Sequence, residues 1–174
     1  MSKILIIEDE EAIRRVLTKI LKEENRSYDI FEASDGLLAI EFIKNQDFDL
    51  ILCDIKMPKM DGLEVLEATK KIKPDIPIVM ISGHGDLETA VETMRHGAYD
   101  YISKPPDLNR LLNTVRNALD RKKLIKENKI LKQRVDKKYE MIGHSDQIQD
   151  VKSVIDKVAP TEARVLITGP NGTG

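Results

Sequence analysis

Tryptophan is missing from this chain of 174 residues, and aromatic residues make up only 4% of it. A nucleic-acid platform built on stacked rings has little to work with here. The single cysteine, Cys53, excludes an internal disulfide and a cysteine-based zinc site, and it agrees with a reducing, cytoplasmic setting. It reads most simply as a buried strand residue. The three histidines, His84, His96 and His144, stand too far apart for a helical zinc motif. No apolar run approaches the ~20 residues that a membrane helix requires. The run Ile4–Ile7 is short and ends in acids, so a secretory signal is not expected. What is present is 41% hydrophobic and 33% charged residues, the balance of a soluble, folded protein. The length exceeds the ~100–150 residues of a common domain and falls short of two, so one full domain plus a partial element is expected.

The net charge of −2 conceals a pattern. Residues 1–119 carry 16 basic and 22 acidic side chains, residues 120–138 carry 9 and 3, and residues 139–174 carry 3 and 5. An acidic block meets a short basic stretch and then a mildly acidic segment, which marks a boundary near 119. The basic stretch reads first as a solvated helix face. Binding to a phosphate backbone has no recognition motif to support it.

Short apolar runs at Ile4–Ile7, Leu50–Cys53, Ile78–Ile81 and Tyr99–Ile102 lack polar alternation, as strands buried on both faces do. Tyr28–Glu32 alternates and reads as an edge strand. Helical stripes lie between them: Ile13, Val16, Leu17, Ile20 and Leu21; Leu37 through Ile43; Leu63, Val65, Leu66 and Ala68; Leu87, Ala90, Val91 and Met94; and Leu108, Leu111, Leu112, Val115 and Leu119. Strand and helix alternate throughout, which predicts a doubly wound α/β domain with helices on both faces. Ligands of such sheets sit outside the carboxyl ends of the strands.

The strand ends carry Glu8 and Asp9, Asp54, Ser82, and Lys104. Clustered acids repel one another unless a cation intervenes, and a hard divalent ion such as Mg2+ with oxygen ligands is the natural one. A lysine can pair with a phosphoryl oxygen, and a hydroxyl can donate to another. A carboxylate can attack phosphorus and form an acyl phosphate. Asp54, on the central strand, is the best nucleophile candidate. An isolated aspartate there could equally cap the following turn, but the five residues at successive strand ends argue for phosphoryl chemistry.

With these residues in place, positions 1–119 resemble a response-regulator receiver domain of bacterial two-component signalling. The resemblance rests on Ile4-Leu5-Ile6-Ile7-Glu8-Asp9-Glu10, on Asp49 through Gly62, on Pro77 through His84, and on Gly97 through Pro105. It implies a flavodoxin-like (βα)5 fold with parallel strand order 2-1-3-4-5. It implies that Asp54 accepts a phosphoryl group from a sensor histidine kinase. Asp9, Asp54 and the Lys56 carbonyl would bind Mg2+, with Glu8 acting through water. Ser82 and Lys104 would contact the phosphoryl group, and Ser82 with Tyr101 would form the conformational switch, although Tyr101 also suits plain core packing. Lys56 and His84 occupy positions that tune phosphoryl lifetime in the family, and both also suit exposed loops. The Lys104-Pro105 bond is expected to be cis. The sequence departs from the family pattern at Glu8, commonly Asp, and at Pro106, often an aromatic. An aspartate-nucleophile phosphatase is the alternative, but it would need an acid two residues after Asp54, where Lys56 stands.

Beyond Leu119, the residues Leu124, Asn128, Leu131 and Val135 follow 4-3-4 spacing, which fits a coiled-coil seam in a dimer or a plain exposed linker helix. From Tyr139 the chain changes again. A helix is expected over Ile148–Val158, then a strand at Val165–Thr168, then a glycine-rich loop with Gly169, Gly172, Thr173 and Gly174. That loop is an ordinary turn or the start of a P-loop, which would continue with lysine. Ile142-Gly143-His144-Ser145, Val158-Ala159-Pro160-Thr161 and Val165 through Gly169 resemble the start of a sigma-54-interacting AAA+ ATPase, in the order found in NtrC-type transcriptional activators. Pro170-Asn171 stands where Glu-Ser is common in that loop. The expected division is a receiver at 1–119, a helical linker at 120–138 and an ATPase-domain fragment at 139–174, with Gly174 a cut end. The resemblance implies a full-length parent that binds ATP, sigma-54 RNA polymerase and DNA. None of these is expected of this fragment, which lacks the lysine of the P-loop.

Overall fold

Five short parallel strands form the frame of a computed structural model that describes residues 2–83, 87–138 and 141–169, with 133–138 described by backbone alone. In chain order the elements are β1 (Lys3–Ile7), α1 (Glu11–Glu24), β2 (Asp29–Ala33), α2 (Gly36–Asn45), β3 (Leu50–Asp54), α3 (Gly62–Ile72), β4 (Ile78–Ser82), α4 (Leu87–Arg95), β5 (Asp100–Ser103), α5 (Leu108–Lys138) and α6 (Asp146–Val158). The sheet runs β2-β1-β3-β4-β5, every pair parallel, as expected. The chain divides into two units, Met1–Asn128 and Lys129–Gly174.

Alternation along the strands sorts the first unit's core into two layers. Leu5, Ile7, Ile51, Cys53 and Met80 point to one face, where Ala39 and Ile43 of α2 and Val65 and Leu66 of α3 cover them. Ile4, Ile6, Leu50, Leu52, Val79 and Ile102 point to the other, against Leu17 and Leu21 of α1 and Leu111, Val115 and Ala118 of α5. Each such aliphatic side chain contributes roughly 1.5–3 kcal/mol on burial. In β3 and β4 every residue before the last is apolar, because both faces of these strands are covered.

Helix starts are chemically marked. The Asp35 side chain accepts from the Leu38 amide at the head of α2. At the head of α3, Asp61 accepts from the Glu64 amide and Glu64 accepts from the Asp61 amide, a reciprocal capping box.

The helix expected from Leu87, Ala90, Val91 and Met94 forms as α4, with Leu87, Val91 and Met94 exposed and Thr93 buried. One expectation needs correction. In the second unit, α6 forms with Ser145 as its N-cap, but Val165–Thr168 is not a strand. A β-strand needs a neighbour for its backbone groups, and the described residues of that unit contain no strand to pair with. Among the described residues, no helix is long and apolar enough to cross a membrane.

Candidate functional site

The parallel sheet carries its chemistry at one edge because every strand ends there. Asp54 is the last residue of β3 and Ser82 the last of β4. Glu8 directly follows β1, and Lys104 directly follows β5. In-register pairing sets Asp54 beside Ile81 and Ser82 beside Ser103. The Lys104 amide donates to the Ser82 carbonyl at 2.6 Å, which docks the lysine against β4. The Lys104-Pro105 bond is cis.

The Lys104 ammonium lies 2.7 Å from Glu8 Oε2 and 3.1 Å from Asp54 Oδ1. Glu8, Asp9 and Asp54 each offer a carboxylate oxygen, all within 4.8 Å of one another. Glu8 is 1% exposed and Asp54 5%, whereas Asp9 is exposed. Burial raises the Asp54 carboxyl above its ordinary range, and Lys104 opposes that rise. Burial likewise raises Glu8 against the Lys104 hydrogen bond, with the Asp54 charge adding to the rise. Burial alone would lower Lys104, but its pairing with both carboxylates outweighs this and holds the ammonium above its usual range. One cation thus serves two buried acids and leaves a third acid beside them. Glu8 Oε1 is buried without a hydrogen-bond partner. An all-oxygen donor set with an unsatisfied buried oxygen suits a hard divalent cation.

The remaining expected residues fall as follows. Ser82 is buried at the strand end. Tyr101 is partly buried, packed against the core layer beneath α2 and α3, and in register with Met80. Lys56 is exposed and lines a cleft of about 580 Å3 together with Asp9, Asp61 and the α4 residues Thr89 and Glu92. His84 lies outside the described residues, as do Gly172, Thr173 and Gly174. Gly169 is described and exposed, outside any helix or strand.

Two residues support the site in ways the sequence does not show. Arg14 of α1 donates to the carbonyls of Glu8 at 2.6 Å and Asp9 at 3.0 Å, and its Nε lies 3.6 Å from Glu32 on β2. It ties the backbone of two acids to the neighbouring strand. Gly62 sits so close to the end of β3 that a Cβ there would come within 2.1 Å of the Asp54 carbonyl oxygen. Its amide donates to the Ile55 carbonyl at 2.8 Å. Only a residue without a side chain admits this approach.

A parallel 2-1-3-4-5 sheet with a buried acid, a lysine and an acidic cluster at its carboxyl edge defines a class of signalling domain, and residues 4–116 match the response regulator receiver domain family. The chain belongs to that family. It is 40% identical over 173 residues to the nitrogen assimilation regulatory protein NtrX of Azorhizobium caulinodans, which covers 98% of this chain and 37% of that protein. It is 43% identical over 150 residues to the regulatory protein LuxO of Vibrio cholerae, covering 84% of this chain and 32% of the relative. Among solved structures, NtrX from Brucella abortus superposes with a TM-score of 0.70 at 38% identity, covering all of this chain and 38% of that one. A CheY-like receiver domain protein from Methanospirillum hungatei gives 0.66 at 34% identity, covering 71% of this chain and 97% of that one. The chain therefore spans about a third of the length of the curated relatives it matches.

Proposed function

We propose that Asp54 is the phosphoacceptor of a two-component response regulator, receiving its phosphoryl group from the phosphohistidine of a sensor kinase. The observation that carries this reading is the buried Asp54 carboxylate, paired with Lys104 and gathered with Glu8 and Asp9 at the strand ends. An Asp54 carboxylate oxygen attacks phosphorus as the bond to the histidine nitrogen breaks. The electron pair leaves with the histidine ring, which departs as neutral imidazole when its other nitrogen already carries a proton and otherwise takes one proton from solvent. The product is an acyl phosphate on Asp54. Lys104 exchanges a carboxylate oxygen for a phosphoryl oxygen, and the Ser82 hydroxyl donates to another.

Asp9, Asp54 and the Lys56 carbonyl, with Glu8 through water, would hold Mg2+, whose chemistry is to neutralise charge on the transferring phosphoryl group. The lone Glu8 Oε1 supports that donor set. Lys56 and His84 would tune the lifetime of the acyl phosphate. Movement of Ser82 would draw Tyr101 inward and bias an existing two-state equilibrium.

The division into receiver (1–119), linker (120–138) and ATPase-domain fragment (139–174) belongs to the same reading. So does control of sigma-54-dependent transcription by the parent protein, for which the likeness to NtrX along nearly the whole chain is the support. Leu124 and Leu131 of α5 are 59% and 56% exposed, as a seam awaiting a second copy would be.

Incubation with acetyl phosphate and Mg2+ tests the phosphoacceptor. Intact mass should rise by one phosphoryl group, and Asp54→Asn should abolish the rise. An adduct that persists in the Asn variant would displace Asp54 from this role. Steady release of phosphate without a trapped adduct would favour the phosphatase reading.

A further inference from the structure

At the amino end of the sheet, opposite the acidic cluster, α3, the loop before β4, the turn before β5 and α5 enclose a cavity of about 330 Å3. Its character is the reverse of the phosphoacceptor site. Lys70 of α3 and Lys122 and Arg121 of α5 line it, and Asp75 is the acid among the lining residues. The Lys70 ammonium donates to the Ile76 carbonyl at 2.8 Å and the Pro74 carbonyl at 3.3 Å. The Lys122 ammonium donates to the Asp75 carbonyl at 3.0 Å. Two cations from different helices are thus clamped onto three consecutive carbonyls of one loop. The Arg121 guanidinium lies 5.5 Å from the Tyr99 ring centre, and no carboxylate among the described residues lies within ion-pair distance of it.

These cations are crowded and incompletely neutralised. Burial lowers the Lys70 ammonium below its ordinary range, and the charges of Arg121 and Lys122 lower it further against the weaker opposing pull of Asp75. Carbonyl dipoles fix the two ammoniums in place but do not cancel their charge. A concave, partly apolar site with like charges held together attracts counter-ions and concentrates its field inward. The ring beneath Arg121 holds the flat guanidinium and leaves its N–H edge free for a bidentate acceptor.

We propose that this cavity is a second ligand site, which takes a small polyanion bearing two adjacent phosphoryl groups. One phosphoryl would be held by the Arg121 edge, and its neighbour would lie between the Lys70 and Lys122 ammoniums. Among the lining residues three cations face one acid, with Asp47 as a further acid near Lys122, and this excess calls for a ligand with more than one negative charge, which favours two linked phosphoryl groups over a single phosphate. Bound there, the ligand ties the loop before β4 to α5 just beyond Ala118, the last α5 residue fully buried against the sheet. It would stiffen the base of the helix that continues to Lys138, an input separate from Asp54.

The test is a titration of the full 174-residue chain, 15N-labelled and free of divalent cation, with inorganic pyrophosphate followed by amide shifts, and with phosphate and sulfate as parallel arms. Saturable shifts at Gly97, Tyr99 and Lys122 are expected, with phosphate and sulfate weaker. Arg121→Gln removes no internal ion pair and should weaken pyrophosphate about tenfold, while Arg121→Lys loses less. The amide spectrum of each variant confirms its fold. Shifts confined to residues 169–174 or to the Asp54 edge, equal response to sulfate and pyrophosphate, or unchanged affinity in Arg121→Gln would each overturn the proposal. Phosphorylation at Asp54 is measured separately, so failure of this site leaves that reading untouched.

Discussion

A single missing side chain sets the geometry at the end of β3. Gly62 presses against the Asp54 carbonyl at a distance no Cβ can occupy, and the atoms it would strike are backbone rather than a flexible side chain. Gly62→Ala should therefore cost about 3 kcal/mol, because the backbone that carries Asp54 must move. A denaturant midpoint at wild-type level would contradict this. Arg14 acts on the same edge from the other side. It holds the Glu8 and Asp9 carbonyls, so Arg14→Gln should loosen the acidic cluster without removing a carboxylate. Mg2+ affinity by calorimetry should fall about tenfold, the usual scale for a group that orients ligands it does not itself supply. Arg14→Lys should recover part of the loss. Gly62 closes the segment that carries the receiver resemblance, but its contact is not legible there, and Arg14 is only an arginine in a helix stripe. Their importance lies in distances.

At the scale of elements, caps and stripes carry most of the information. Asp35 holds the first turn of α2, with its carboxyl lowered below the ordinary 3.8 first by the Leu38 amide and then by Lys59. A carboxylate lowered in the folded state adds stability above its unfolded value and loses it as pH falls through the folded one. The stability gap between wild type and Asp35→Asn should thus be constant above pH 3.8 and close below it, as measured by thermal unfolding across acid pH. A gap that widens on acidification would contradict the cap. The stripe of α4 teaches the limit of periodicity. Leu87, Val91 and Met94 fall on one helical face, yet that face is exposed and Thr93 turns inward. Spacing identifies a face but not what lies opposite it. Val165–Thr168 shows the same limit for strands, since an apolar run pairs only where a neighbour exists.

At the scale of the whole molecule, opposite charges are segregated along the chain: an acidic domain, then a basic helix. If the exposed Leu124 and Leu131 form a dimer seam, two segments of 9 basic and 3 acidic residues are brought together, and their repulsion opposes association. Added salt screens that repulsion, so the dimer should tighten as ionic strength rises. Light scattering should report twice the chain mass, and Leu124→Lys with Leu131→Lys should return it to one. A single-chain mass with and without Asp54 phosphorylation would exclude the seam.

The sequence by itself determined the sheet and its working edge. Strands covered on both faces must be apolar throughout, and parallel strands must all end on one side, so the order of runs already places Glu8, Asp54, Ser82 and Lys104 together. The 2.7 and 3.1 Å reach of Lys104 to two acids was decided only by tertiary structure, as were the Arg14 tether, the Gly62 contact and the basic cavity beneath α5. Each of these runs through a backbone carbonyl, an ion pair between separate elements or a shared field. Neither the identity of a residue nor its spacing encodes such a partner, and only the folded chain brings it within reach.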